Sequence, residues 1–399
     1  MSRRALLGAL ALAGLATGTA RAEGLADIGR RANVRFGSAM RATSLADPVL
    51  AGLIAAQCAS ITPELEMKWA ALAPAAGVHD WTAADALANW AGAHGLATRG
   101  HALLWHRSVP AWWTKATPWA AVEAHIAATV GRYSGIDEWD VVNEPIAPDG
   151  AGLRAEPFAA AYGPDYIARA LRAARVAAPR ARLFLNDYDV EYDLPGQARR
   201  RAALLALVEQ LRRDRVPLDG IGVQAHLAIG RPFLAGVFRA FLDALADQGL
   251  TVAITELDVR ERDYVLPAAA RDAAVAEHAA PFLATALGHR AVRSLTCWGL
   301  SDRQSWLEVT AADRAHFPGA WTNGSSPGLN RGLPFDSDGR PKRLQDAISG
   351  ALAHRAGLVN SIPYVNPLPQ LGVADAGDRA TRDAEGSGDA AAAGHGRAA

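Results

Sequence analysis

This chain lacks an excess of charge of either sign: 41 Lys and Arg balance 41 Asp and Glu over 399 residues, for a formal net charge of +0. That removes the electrostatic argument for nucleic acid or an anionic membrane surface as a partner, and points to an uncharged one. Cysteine is nearly absent, with only Cys58 and Cys297. Their spacing supports no metal site, and in apolar surroundings they read either as a disulfide or as two buried thiols. Beyond the N-terminus there is no uncharged run long enough to span a membrane. A Gly-rich first turn, the mark of dinucleotide-binding sheets, is also missing. No cofactor is expected.

The start of the chain, "MSRRALLGALALAGLATGTARAEGL", has Arg3 and Arg4, an apolar run, and Ala20 and Ala22 in an A-x-A pattern before Glu23. Residues 1–22 therefore read as an export signal, with a periplasmic or secreted mature protein; Ser2-Arg3-Arg4 fits the twin-arginine variant as well as an ordinary secretory signal. The 11 Trp outnumber the 7 Tyr and 9 Phe. Most will be core, but broad aromatic faces also suit stacking on flat neutral partners.

Eight β-like runs recur along the chain: "VRFGSAM", "ASITPE", "ATRGHALLW", "EWDVVNE", "ARLFLND", "DGIGVQAH", "TVAITELD" and "VRSLTCWGL". Between them lie Ala- and Leu-rich stretches with helical spacing, such as "DPVLAGLIAAQ", where Asp47 caps and Pro48 opens the helix. Eightfold strand–helix alternation predicts an α/β chain closed into a single (β/α)8 TIM barrel over residues 25–358. Residues 359–399 are small and polar, and are expected to be a disordered tail.

In such a barrel the C-terminal ends of all strands meet on one face, which carries the active site. Those ends give Glu64, His101, Trp105 with His106, Asn143 with Glu144, Asn186 with Asp187, Gln224 with His226, Glu256 with Asp258, and Trp298. A carboxylate ending a buried strand costs desolvation free energy unless it is paired or used. Glu144 alone is more often an ion-pair member than a catalyst. Glu256 supplies it with a partner, and two carboxylates across a barrel mouth suit glycosidic bond cleavage: one protonates the leaving oxygen while the other attacks or activates water. His226 is placed to hydrogen-bond Glu256, with Asp258 orienting the imidazole, and Asn143 to grip a sugar hydroxyl.

These residues lie in motifs that resemble a known family. "GHALLWH", "WDVVNEP", "QAH", "ITELD", "CWGLSDRQSW" and "LPFDSDGRPK" stand in the order and spacing of family 10 glycoside hydrolases, the retaining endo-β-1,4-xylanases, from about Phe36 to Leu344. The resemblance implies a double displacement on xylan with Glu144 as acid/base, Glu256 as nucleophile and His226 as its orienting partner. It also implies that His101, Trp105, Asn143, Gln224, Trp298 and Trp306 line the sugar sites beside the cleaved bond. A monomer is expected.

One position departs from the family pattern, which usually reads Glu-Asn-x-Met-Lys-Trp. Here "ELEMKW" keeps Glu64 and Lys68 as substrate-binding candidates but puts Leu65 where the asparagine contacts the second glycone sugar. The stretch from Leu307 to Gly332, with Trp321, reads as a long loop walling the leaving-group side. Trp112 and Trp113 fit core or platform equally, and His106 and Asp187 fit supporting packing. The competing readings are a β-1,4-glucanase of the same mechanism and a glycan-binding protein without turnover; the intact glutamates and histidine argue against the second.

Overall fold

The computed structural model describes residues 23–261, 266–307 and 330–359. The leader, the tail beyond 359 and most of the loop after the last barrel strand, Trp321 included, lie outside the described residues.

Every β-like run of the sequence becomes a strand. They are β1 (Arg35–Met40), β2 (Ser60–Pro63), β3 (Ala97–Thr98), β4 (Gly100–Trp105), β5 (Glu138–Asn143), β6 (Arg182–Asp187), β7 (Gly220–Val223), β8 (His226–Ala228), β9 (Thr251–Arg260) and β10 (Val292–Cys297). All the strand pairings are parallel, in the order β3-β2-β1-β10-β9-β7-β6-β5-β4. β3 and β4 are one run interrupted at Arg99, whose N–H still donates to the Ile61 carbonyl at 2.9 Å, so the two ends of that order meet. The result is the expected (β/α)8 barrel in one domain.

Helices return each strand to the next along the outside. Asp47 accepts the Val49 and Leu50 N–H groups and Pro48 opens the helix Pro48–Gln57, as the sequence predicts. The helices Thr82–Ala93, Tyr166–Ala177 and Ala235–Asp247 occupy the other stretches with helical spacing, their apolar sides buried on the barrel wall. "DGIGVQAH" departs from a continuous strand. It stops at Val223 and resumes at His226, because Ala225 takes a left-handed φ of +62°.

The barrel interior is a packed column with a charged floor. Arg99 bonds Asp140 through Nε (3.1 Å) and Nη2 (2.5 Å) and Glu138 through Nη1 (2.6 Å), all three side chains being buried. Two glycines make room for their neighbours: a Cβ on Gly100 would lie 2.1 Å from the Trp139 ring, and one on Gly222 would lie 2.2 Å from Asn186 Oδ1. Cys58 and Cys297 are free and buried, which selects the buried-thiol alternative; burial raises both thiol pKa values.

Candidate active site

The parallel register brings the candidate residues to one mouth. β6 sits between β5 and β7, and β9 between β7 and β10, so Glu144 and Glu256 leave strands separated by two neighbours. Glu256 is 5% exposed and each of its oxygens has a donor: Asn186 Nδ2 lies 2.7 Å from Oε1 and His226 Nε2 lies 3.1 Å from Oε2. Burial pushes this carboxyl's pKa up, but the His226 hydrogen bond and the charges of His101, His226 and Lys68 outweigh it. The net pKa lies below the ordinary value.

His226 in turn lies 3.0 Å from Asp258 through Nδ1. A ring held between two carboxylates donates from both nitrogens, which requires the imidazolium. Burial alone would lower its pKa, yet Asp258 and Glu256 together raise it to about 10. Asp258's other oxygen accepts the indole N–H of Trp306, whose ring packs 4.9 Å from that of His226.

Glu144 follows β5 with a left-handed φ of +56°, a conformation uncommon outside glycine. Its N–H donates to the Asn186 carbonyl at 2.7 Å and its own carbonyl accepts from Arg154 Nε at 3.1 Å, so the backbone is pinned on both sides. Around the carboxylate stand Gln224 Nε2 at 3.4 Å, His106 Nδ1 at 3.6 Å and Arg154 Nη2 at 4.0 Å. Arg107 donates to His106 Nε2, leaving the ring proton on Nδ1, toward Glu144. Burial first, then Arg154 and Arg107, lower the His106 pKa to about 2, so this ring is neutral.

One chain of amides joins the two glutamates. Asn186 Nδ2 reaches Glu256 and also Asn143 Oδ1 at 2.8 Å; Gln224 Nε2 reaches the same Asn143 oxygen at 3.3 Å and then Glu144. Asn186 is fully buried and its Oδ1 accepts from Thr255 at 2.7 Å. It stood among the strand-end residues of the sequence, but its place as the hub of this chain did not. Arg154 gave no sequence signal, since it comes from the loop after β5.

The remaining candidates gather on the same rim. Lys68 Nζ sits 4.4 Å from the ring centre of Trp105 and 5.7 Å from that of Trp298, and His101 meets Trp298 edge-on at 5.3 Å. Burial lowers the Lys68 pKa against the opposing pull of Glu256, Glu64 and Glu144. His101 Nδ1 is bonded to Asp140 at 3.0 Å, and Glu64 pairs with Arg41 at 2.6 Å. Leu65 is half-buried beside them, and Glu66 fixes the loop by accepting the Ala42 N–H at 2.6 Å. Trp112 and Trp113 belong to the packing: their indole N–H groups go to the Ala73 carbonyl and the Tyr162 hydroxyl. Asp187 is likewise a supporting group, bonded to Arg200 at 3.0 Å, with burial raising its pKa to about 7.

The model of glycosyl hydrolase family 10 matches residues 24–351. The chain belongs to that family. The family-10 chain is 36% identical over 330 residues to endo-1,4-beta-xylanase 3 of Hypocrea jecorina, spanning 82% of this chain and 84% of that one. It is 31% identical over 349 residues to endo-1,4-beta-xylanase 5 of Pyricularia oryzae, spanning 85% and 81%. Among solved structures, xylanase 10B of Thermotoga petrophila in complex with xylobiose superposes with a TM-score of 0.74 at 28% identity, covering 84% of this chain and 98% of that one. This family-10 protein is thus a glycoside hydrolase, and retention of configuration is the family's general outcome. No helix among its described residues is long and apolar enough to cross a membrane.

Proposed function

We propose that the protein is an endo-β-1,4-xylanase that cuts xylan by double displacement, with Glu256 as nucleophile and Glu144 as acid/base. The observation that carries this is the Glu256–His226–Asp258 relay. An imidazolium between two buried carboxylates keeps Glu256 ionised and aimed, as a nucleophile needs, while one amide chain sets Glu144 in a fixed relation to it. Glu144 protonates the leaving oxygen in the first step and takes a proton from water in the second.

Glu64, Lys68, His101, Trp105, Asn143, Gln224, Trp298 and Trp306 form the sugar sites in this reading. Trp298 and Trp105, bridged by Lys68, supply apolar faces, and the ammonium, imidazole and amides supply donors for hydroxyls. Residues 1–22 direct the protein out of the cytoplasm, and the mature chain acts as a monomer.

The test is product analysis of the purified protein on arabinoxylan, glucuronoxylan, mixed-linkage glucan and cellulose. Xylo-oligosaccharides from the xylans, with the β anomer formed first by NMR, are expected. Turnover confined to the glucans makes it a glucanase, and saturable binding without turnover makes it a lectin-like protein.

A further inference from the structure

The break between β7 and β8 lies at the centre of the site. Its single step, Gln224 to His226, sends two side chains to two different glutamates: Gln224 Nε2 lies 3.4 Å from Glu144 and His226 Nε2 lies 3.1 Å from Glu256. The residue between them, Ala225, makes this divergence possible with its φ of +62°. A left-handed backbone is disfavoured for any residue with a Cβ, so something must hold this alanine there. Ala225 is fully buried, so its N–H has no access to water. That N–H donates instead to Glu191 Oε1 at 2.9 Å.

Among the described residues, Glu191 makes no other hydrogen bond outside its own turn. It is 2% exposed, and its second oxygen accepts the neighbouring Val190 N–H at 2.9 Å. Burial first, and then Asp189, raise its pKa to about 7 against the pull of the two N–H donors and the His226 charge. A buried carboxylate is a costly way to fill space. The segment that carries it is stiff: Gln197 bonds Asp189 Oδ1 at 2.9 Å and the Tyr192 N–H at 2.7 Å, and the Tyr192 hydroxyl accepts the Ala228 N–H at 2.9 Å.

We propose that Glu191 is a positioning residue of the reaction: its carboxylate holds the Ala225 amide, and through that left-handed step it aims Gln224 at Glu144 and His226 at Glu256. The inference rests on the catalytic reading of those two glutamates. It adds to Glu144, Glu256 and Asp258 a further carboxylate that touches no sugar and acts through the backbone.

Two variants of the full chain separate positioning from mere packing. Glu191→Asp keeps the charge but draws the carboxylate back by about 1.5 Å, one C–C bond, out of reach of Ala225. Glu191→Gln loses the charge but keeps an oxygen within reach. On an aryl β-xylobioside, Glu191→Asp is expected to lower kcat about 10- to 100-fold with KM within about twofold, while Glu191→Gln stays within about fivefold of wild type. In NMR of 15N-histidine protein, the downfield ring protons of His226 should move in Glu191→Asp and stay in place in Glu191→Gln. Unchanged kcat and ring resonances in Glu191→Asp, whatever its Tm, overturn the proposal, as does a loss in Glu191→Gln equal to or larger than that in Glu191→Asp. A wild-type protein inert on the xylobioside defeats the xylanase reading instead, and the ring resonances then still decide the role of Glu191.

Discussion

His226 meets Glu256 at 3.1 Å with one nitrogen and spends the other on Asp258 at 3.0 Å, so the nucleophile candidate bonds to a cation that is itself held in place. A histidine with one free nitrogen could shed its proton and turn from donor to acceptor. This one cannot do so without leaving one oxygen of a buried carboxylate short of its donor.

Replacing Glu144 by Ala should therefore separate substrates by leaving group. Xylo-oligosaccharides, whose sugar leaving group needs a proton, should slow by about 10²–10⁴, and a dinitrophenyl glycoside far less in its first step. Glu256→Ala should disable both alike. Steady-state and burst kinetics on the two substrate types check this, and equal losses for both in Glu144→Ala would count against the assignment.

The acid limb of kcat/KM should follow Glu256. Its pKa lies below the ordinary carboxylate value, so activity should persist into acid until that group takes up a proton. In His226→Ala the burial that pushes the pKa up remains while the main opposing bond is gone, so the acid limb moves to higher pH. The rate should fall about 10- to 150-fold, the worth of a hydrogen bond to a charged group. A pH–rate profile of the two proteins measures both effects; a limb that stays in place refutes the coupling.

The same histidine should leave a mark on stability at alkaline pH. A pKa raised to about 10 in the folded protein, against about 6.5 when unfolded, stabilises fully below the unfolded value. That contribution fades as pH climbs toward the folded value. Urea midpoints at pH 6, 8 and 10 should fall more steeply for wild type than for His226→Gln, and parallel slopes would show that the imidazolium is not what titrates.

Leu65 lies at the rim where the family pattern has an asparagine, and leucine can make no hydrogen bond there. If a contact has been lost, Leu65→Asn should raise kcat/KM on xylotetraose by about two- to tenfold, the worth of about 0.5–1.5 kcal/mol. If instead leucine packs against a bulkier glycone, xylotetraose should be unchanged and cellotetraose slowed. Assays of both variants on both tetrasaccharides decide.

The strand ends were legible because a parallel barrel brings every C-terminal end to one mouth, so polar residues that close apolar runs are readable as a set. Glu144, Glu256, His226 and Asn143 were found that way. The hub at Asn186 was not legible, since its partners come from β5 and β9, and only the sheet order makes them neighbours. Nor was the break at Ala225. A glycine would have announced a left-handed step, whereas an alanine is held in one by a carboxylate 34 residues earlier in the chain.

The charged floor makes the barrel less divisible than its architecture implies. Barrel engineering assumes that one end confers robustness and the other chemistry, so that each can be altered independently. Here Arg99 grips Asp140, and the same Asp140 oxygen that receives Arg99 Nε holds His101, one of the residues proposed for the sugar sites. A library that varies Arg99 for thermal tolerance would also be sampling the geometry of the proposed glycan site.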